Sequence, residues 1–194
     1  MAQKISRKLV FSPKTQNLIH VHDKKFDIFI GTEKIQSKIK AIAEQINQEY
    51  IGKDLVFISI LNGSFMFTSD LIKKITLPCE ISFVKVSSYQ DLSSSGRIDE
   101  LIGLNTEISN KHVIIIEDIV DTGITMNKIY SYLQSFQPAS LKIVSLLFKP
   151  DAFEGKHQPD IIGFSIPNIF VIGFGLDYNQ HGRNFENIYK LIDE

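Results

Sequence analysis

The chain has 194 residues, which suits a single compact domain, and its shares of hydrophobic (43%) and charged (22%) residues are those of an ordinary globular protein. Its formal net charge of −1 disfavours extended contact with nucleic acid, and its single cysteine rules out an intrachain disulfide. The charged N-terminus lacks the apolar block of a signal peptide, and no apolar run reaches the roughly 18 residues of a membrane helix. We therefore expect a cytoplasmic protein with no membrane and no nucleic-acid partner.

The first half of the chain predicts helices that alternate with short buried strands. Apolar residues recur at helical spacing from position 35 to position 50, after Gly31 and a candidate cap, Thr32. The later apolar runs are bounded by turn residues, as buried strands are. The predicted elements are a helix over 35–50, a strand over 55–61 with a turn at Asn62-Gly63, a helix over 65–75 and a strand over 80–86.

The second half continues the alternation. Four consecutive β-branched residues make 112–117 the clearest buried strand. The remaining predicted elements are a helix over about 125–136 and strands over 141–148 and 169–175. Strands that alternate with helices predict an α/β fold with a doubly wound, mainly parallel sheet, which binds ligands at the carboxyl ends of its strands.

The two ends of the chain fit this alternation poorly. We expect residues 5–30 and 177–194 to pair into a small lobe that covers the carboxyl edge of the sheet. The sequence thus predicts one domain over 1–194, with a core at about 31–176 and a hood from about 1–30 and 177–194. A serine-rich loop at 87–97 is longer than most internal connections and fits either an active-site lid or a plain surface loop.

The segment 117–125 carries the strongest chemical signal. The buried strand delivers Glu117 and Asp118 to its carboxyl end, and a turn with hydroxyl donors and Gly123 leads into a helix. A helix start binds phosphate through free N–H groups and the helix dipole. Carboxylates repel phosphate but accept hydrogen bonds from ribose hydroxyls and help to position Mg²⁺. An ordinary capped helix is the alternative, but the full ordered set favours a sugar-phosphate site.

This ordered set, Glu-Asp-x-x-Asp-Thr-Gly-x-Thr, resembles the phosphoribosyl-pyrophosphate signature of the type I phosphoribosyltransferases. Residues 55–183 as a whole are similar to the hypoxanthine–guanine branch of that family. The resemblance implies a purine-salvage enzyme whose substrates are phosphoribosyl pyrophosphate and a purine base, with Mg²⁺ as cofactor. It also implies a homodimer or homotetramer.

The resemblance assigns the sugar and the base to separate residues. Asp121 matches an aspartate near N7 of the purine, and its role as general base or as electrostatic stabiliser stays open. Lys149 matches a lysine at the exocyclic oxygen; because an ammonium only donates hydrogen bonds, it suits a 6-oxopurine better than adenine. Phe170 would stack on the base and the backbone of Val171 would read its edge. The implied ribose and phosphate residues are Glu117, Asp118, Asp121, Thr122, Gly123, Ile124 and Thr125.

The same resemblance assigns the pyrophosphate, metal and lid residues. Leu61, Asn62, Gly63 and Arg183 match the pyrophosphate site, with a non-proline cis peptide expected between Leu61 and Asn62. Asn62 brings no charge, whereas many relatives carry lysine there. The implied metal residues are Glu117, Asp118 and Asp177, and the implied lid residues are Ser88 and Tyr89. Asn168 and Ile169 replace an Asp-Lys pair of some members, which leaves the choice between hypoxanthine and guanine open.

Two other functions are compatible with parts of this pattern. A regulator could keep the sugar-phosphate pocket but act by binding RNA or protein, although Asp121, Lys149 and the lid favour an enzyme. A Mg²⁺-dependent phosphohydrolase could use an aspartate at a strand end. The five histidines show no His-Glu-x-x-His pattern, which disfavours a zinc site.

Overall fold

The structure, a computed structural model, describes residues 18–86 and 100–192 of the chain. The serine-rich loop, with the expected lid residues Ser88 and Tyr89, lies outside the described residues. The other expected site residues all lie within the two described ranges. In these ranges no helix has the length and hydrophobicity needed to cross a membrane.

Strands and helices alternate through most of the described chain. The elements in order are β1 (Ile19–Val21), β2 (Lys24–Ile30), α1 (Thr32–Glu49), β3 (Leu55–Leu61), α2 (Phe65–Ile72), β4 (Cys79–Val86), β5 (Glu100–Ile102), β6 (His112–Val120), α3 (Ile124–Gln134), β7 (Ser140–Phe148), a 3-10 turn (Pro150–Ala152), β8 (Ile161–Ser165), β9 (Val171–Ile172) and β10 (Ile188–Leu191).

A six-stranded sheet with the order β5-β4-β3-β6-β7-β8 forms the centre. All its neighbours pair in parallel except the edge strand β5, which is antiparallel to β4. One hydrophobic cluster joins α1 and α2 to one face of the sheet, and a second joins α3 to the other face. This is the doubly wound α/β arrangement that the sequence predicts, with the ends of β3, β6 and β7 side by side.

Helix α1 has the predicted apolar stripe but not the predicted cap. The isoleucines at helical spacing are all buried. The N-cap is Gly31 rather than Thr32, and the Thr32 N–H donates to Oδ1 of Asn187 at 2.8 Å. The prediction was wrong because the acceptor comes from a residue 155 positions away, which no local pattern reveals.

Two other boundaries differ from the predictions. Helix α2 ends at Ile72 rather than at residue 75, because the next backbone hydrogen bonds, at positions 74 and 75, span three residues and form tight turns. Strand β6 continues beyond residue 117 to Val120, because it stays paired with β7 as far as Phe148. Glu117 and Asp118 therefore lie within a strand, which fixes their backbone.

The strand predicted over 169–175 is the main error. Only Val171–Ile172 is a strand, and it belongs to a small antiparallel sheet with the order β1-β2-β10-β9. Gly173 and Gly175 have left-handed backbones (φ +96° and +101°), which turn the chain instead of extending it. The strand that completes the central sheet is β8, where Gly163 fits because a Cβ would lie 2.4 Å from the Leu146 carbonyl oxygen.

The small sheet joins the two terminal segments, because β2 from the start of the described chain pairs with β10 near its end. Its own hydrophobic cluster contains Phe26, Ile172 and Tyr189. The chain bounds of core and hood stay a prediction, and β9 of the small sheet falls within residues 31–176.

Candidate active site

The motif loop lies between β6 and α3, at the carboxyl edge of the parallel sheet. Gly123 is the N-cap of α3 and has a left-handed backbone (φ +79°); a Cβ there would lie 2.4 Å from the Phe153 ring. Glycine therefore meets both the backbone geometry and the close packing. Residues 117–126 apart from Ile124 line a cleft of about 190 Å³.

The first turn of α3 offers hydrogen-bond donors to a ligand. Gly123 has no side chain to cap the helix, and the Ile124 N–H makes only a long bond, 3.4 Å, to Oγ1 of Thr122. Thr122, Ile124 and Thr125 are exposed. Because the N–H groups of a helix start carry partial positive charge, this turn is suited to bind a phosphate.

Glu117 and Asp118 form an acidic pair under the turn. Asp118 is buried and its Oδ1 accepts a hydrogen bond from the Ile119 N–H at 2.9 Å. Burial raises the pKa of Glu117 well above its usual range, and the neighbouring Asp118 charge raises this pKa further. Burial also raises the pKa of Asp118, whereas the hydrogen bond from Glu117 and the charge of Arg183 act in the opposite direction. The two carboxyl groups therefore share a buried environment and repel each other when both are ionised.

Asp121 and Lys149 meet across the ends of β6 and β7. Lys149 Nζ donates to Oδ2 of Asp121 at 2.9 Å and lies 3.5 Å from Oδ1 of Asn168. The lysine is almost fully buried, at 7% exposure, while nearly half of the Asp121 side chain is exposed. The Lys149 backbone N–H also donates to the Val120 carbonyl oxygen at 3.0 Å. An ammonium with three N–H groups keeps one for a further acceptor beside Asp121.

The loop after β3 lies against the acidic pair. Its Leu61–Asn62 peptide bond is cis, as the resemblance implies. A Cβ on Gly63 would lie 1.7 Å from Oδ2 of Asp118, and a Cβ on Gly175 would lie 2.0 Å from the Gly63 carbonyl oxygen. Gly63 is therefore sandwiched between the acidic pair and the segment that follows β9.

Arg183 and Asp177 lie on this third segment and pair with each other. Arg183 Nη2 lies 2.7 Å from Oδ1 of Asp177, and its Nη1 donates to the Gly175 carbonyl oxygen at 2.8 Å. Asp177 Oδ2 also accepts a hydrogen bond from the Gln180 N–H at 2.7 Å. Arg183 thus holds Gly175, which packs against Gly63, while Asp177 is engaged by Arg183.

Phe170 directly precedes β9, an edge strand of the small sheet, and Val171 is the first residue of β9. Phe170 is 43% exposed, whereas Val171 is buried. The ring of Phe170 lies 5.8 Å from that of Tyr178 and 6.2 Å from that of Phe26. Two aromatic neighbours therefore support an exposed ring on the segment that follows Asn168.

Three neighbours of the site are not among the predicted site residues. Phe153 covers Gly123, Asn168 contacts Lys149, and Tyr178 packs against Phe170. The sequence marks Asn168 only as a replacement for an aspartate, although its place two residues before Phe170 is a usable signal. Phe153 and Tyr178 carry no local signal that separates them from ordinary core or surface aromatics.

The three carboxylates expected at the metal do not form one cluster. Among the described residues, no group of three or more histidine, cysteine, aspartate or glutamate side chains is arranged to hold a metal ion. Glu117 and Asp118 are adjacent on β6, whereas Asp177 pairs with Arg183. A protein site for a cation would therefore consist of one or two carboxylates at a time.

Comparisons with known proteins agree with this arrangement. A family model described as a phosphoribosyl transferase domain matches residues 31–179. A hypoxanthine-guanine phosphoribosyltransferase of Staphylococcus aureus strain Mu50 is 41% identical over 175 residues, which cover 90% of this chain and 98% of that protein.

Solved structures give the same result. A Staphylococcus aureus hypoxanthine phosphoribosyltransferase matches with a TM-score of 0.81 and 41% identity, over 86% of this chain and 91% of that one. The Trypanosoma cruzi hypoxanthine phosphoribosyl transferase, studied for the role of its C-terminal region in oligomeric state and activity, matches with a TM-score of 0.81 and 38% identity, over 90% and 95%. The fold class predicted from the sequence is confirmed, and the chain belongs to the phosphoribosyltransferase family.

Proposed function

We propose that this protein transfers the phosphoribosyl group of 5-phosphoribosyl 1-pyrophosphate to N9 of a 6-oxopurine, hypoxanthine or guanine, and releases pyrophosphate. The observation that carries the proposal is the pairing of Asp121 with Lys149 beside the open start of α3. The cleft at residues 117–126 suits a phosphate, and the Asp121–Lys149 pair at its side suits an oxopurine. The names of the relatives support the same reaction.

The sugar phosphate is assigned to the turn between β6 and α3. The N–H groups at Thr122–Thr125 and the two threonine hydroxyls bind the 5′-phosphate, and the absence of a Cβ at Gly123 keeps the turn tight. Glu117 and Asp118 face the ribose hydroxyls from β6. The like charges of phosphate and carboxylate are thereby kept at opposite ends of the loop.

The base is assigned to Lys149, Asp121 and Phe170. The third N–H of Lys149 donates to the 6-oxo group, and Asp121, held by the same ammonium, faces the proton at N7. Phe170 stacks on the ring, a contact worth about 1–3 kcal/mol for a nucleobase. The Val171 backbone, which follows Phe170 in the sequence, forms hydrogen bonds with the edge of the base. An amino group in place of the 6-oxo group would face a donor, so adenine is disfavoured.

The pyrophosphate is assigned to the loop of Leu61, Asn62 and Gly63 together with Arg183. Asn62 and the backbone of Gly63 donate hydrogen bonds, and Arg183 supplies charge from the neighbouring segment. Because the loop itself carries no lysine, it binds pyrophosphate mostly through uncharged hydrogen-bond donors. Loss of pyrophosphate from C1 leaves an oxocarbenium-like sugar, so the protein acts by positioning and by managing charge.

Mg²⁺ fits the residues of this site as a partner of the substrate. It keeps several waters and binds one or two carboxylates plus substrate oxygens, which suits an acidic pair without a third ligand. Glu117 and Asp118 would hold it at the ribose, and Asp177 at the pyrophosphate. When bound, it neutralises charge on the pyrophosphate. Closure of Ser88 and Tyr89 over the site stays a prediction.

The deciding experiment is a spectrophotometric assay with phosphoribosyl pyrophosphate, Mg²⁺ and each of four bases: hypoxanthine, guanine, xanthine and adenine. We expect a nucleoside monophosphate from hypoxanthine or guanine and none from adenine. Release of inorganic phosphate without nucleotide would support a phosphohydrolase. Binding of phosphoribosyl pyrophosphate without turnover would support a regulator.

A homodimer or homotetramer in the cytoplasm completes the proposal. Phe65, Ile81 and Phe83 are large hydrophobic residues with 40–42% exposure. In register with β3, Ile81 and Phe83 point to the same face as Phe57 and Ser59, next to α2, where Phe65 lies. Light scattering after size exclusion measures the mass directly, and a monomer at micromolar concentration would contradict this part.

A further inference from the structure

Three buried hydroxyl groups lie behind the loop of Asn62 and Gly63. Ser59 belongs to β3, Ser64 precedes α2 and Thr68 lies one turn later; their exposures are 0%, 0% and 3%. Ser59 Oγ lies 2.7 Å from both Ser64 Oγ and Thr68 Oγ1. Ser64 Oγ lies 2.5 Å from the Ile60 carbonyl oxygen. The three side chains form one continuous chain of hydrogen bonds.

The direction of this hydroxyl chain follows from proton counting. A carbonyl oxygen only accepts, so Ser64 must donate its single proton to Ile60. Ser64 therefore accepts from Ser59, and Ser59 in turn accepts from Thr68. Each hydroxyl donates one hydrogen bond, and the series ends at the Ile60 carbonyl oxygen, at the entry of the loop.

The last bond of the hydroxyl chain closes the loop. Ile60 and Ser64 flank residues 61–63, so the Ser64 bond ties the entry of the loop to its exit. A backbone bond within the same loop, from the Phe65 N–H to the Asn62 oxygen, is long at 3.5 Å. The Ser64 bond is therefore a short hydrogen bond across the loop, in addition to the packing of Gly63 against Asp118 and Gly175. The three hydroxyls face the interior and not the cleft.

We propose that Ser59, Ser64 and Thr68 are positioning residues for pyrophosphate: they hold Asn62 and Gly63 so that the loop presents its donors to the ligand. This inference rests on the proposed function, which assigns the loop to pyrophosphate. The three hydroxyls act through the loop, because they are buried and do not reach the cleft. The three hydroxyl groups do not titrate near neutral pH, so their effect on the loop is the same across that range.

The test compares two ligands that use different parts of the site. Pyrophosphate with Mg²⁺ probes the loop of Asn62 and Gly63, and ribose 5-phosphate probes the turn before α3. In calorimetric titrations, Ser64→Ala should weaken pyrophosphate binding about tenfold, because the entry and exit of the loop are released. Ribose 5-phosphate binding should change by less than about twofold, well under that loss.

Other variants grade the effect and supply a control. Ser64→Cys should fall between wild type and Ser64→Ala, because a thiol is a weak donor. Thr68→Val keeps the shape and the Ser64 bond, so its effect should be smaller. Ser145→Ala is the matched control: Ser145 is fully buried in the central sheet and donates to the Leu147 oxygen at 2.6 Å, away from the loop.

The outcomes separate this inference from the proposed function. Wild-type pyrophosphate affinity in Ser64→Ala, or an equal loss of affinity for ribose 5-phosphate, would overturn the positioning role. An equally large loss of pyrophosphate affinity in Ser145→Ala would also overturn the positioning role. If the wild-type protein binds both ligands but forms no nucleotide from any purine, the proposed function fails while the titrations still decide the role of the hydroxyls.

Discussion

The contact between Gly63 and Asp118 allows a quantitative prediction. The backbone φ of Gly63 is not positive, so alanine would be acceptable there on conformational grounds. Its Cβ would, however, lie 1.7 Å from Oδ2 of Asp118, where ordinary contact begins at 3.4 Å, so the atoms must separate by about 1.7 Å (3.4 − 1.7). Asp118 is buried and anchored by the Ile119 N–H, so it has little room to yield.

We expect Gly63→Ala to lower the free energy of unfolding by about 2 kcal/mol, the middle of the range for overpacked sites. In the Asp118→Ala background the obstacle is gone, and the same change should cost less than about 0.5 kcal/mol. The coupling energy of the double-mutant cycle is then at least about 1.5 kcal/mol. The single variant should melt roughly 4–8 °C below wild type for a chain of this length.

The assay is urea and thermal unfolding of the four proteins of the cycle, without substrate. Gly31→Ala is the control, because a Cβ at Gly31 has its nearest neighbour at 3.9 Å. Its cost should be the same with and without Asp118. An equal cost of Gly63→Ala in both backgrounds would show that Asp118 is not the obstacle and would refute the reasoning.

Three further predictions concern the charged groups. Asp121→Asn should lower kcat more than tenfold while binding changes little; steady-state kinetics within about threefold of wild type, roughly 0.65 kcal/mol, would contradict its catalytic role. Lys149→Ala should raise KM for hypoxanthine and guanine, and unchanged KM values for both would exclude the contact with the 6-oxo group. The pKa of Glu117 is raised in the folded state, so protonated Glu117 stabilises the fold fully below its unfolded pKa of about 4.3. This stabilisation is lost as pH rises towards the folded pKa. Glu117→Gln should therefore gain stability relative to wild type between pH 5 and pH 8 without Mg²⁺; parallel urea-unfolding profiles would disprove this.

Local patterns in the sequence are sufficient to predict the centre of the fold and one wall of the cleft. Four β-branched residues identify β6, and the acidic and glycine residues after them identify the turn into α3. Adjacent parallel strands end at the same edge, so the proximity of Asp121 and Lys149 follows from topology once β6 and β7 are known. Their direct ion pair does not follow, because side-chain direction is set by packing.

The errors lie where distant parts of the chain decide the structure. β8 contains Gly163, which weakens a strand pattern but is required by the approach of the Leu146 carbonyl. The segment after Asn168 is apolar like a core strand, yet its glycines turn it into the small sheet. The Asn187 cap on α1 and the contact of Gly63 with Asp118 join residues far apart in the sequence. None of these long-range contacts is visible as a periodic pattern in the sequence.

The pairing of β2 with β10 makes part of the site depend on the far end of the described chain. The central sheet is formed by residues up to 165, whereas the small sheet requires residues 188–191. The Leu191 N–H donates to the carbonyl oxygen of Phe170 at 2.9 Å. The turn between β6 and α3 therefore depends on strand pairings within residues up to 165, whereas the backbone of Phe170 depends on the last strand of the described chain. A change that disturbs β10 would therefore affect the support of the Phe170 ring while leaving the pairing of β6 with β7 intact.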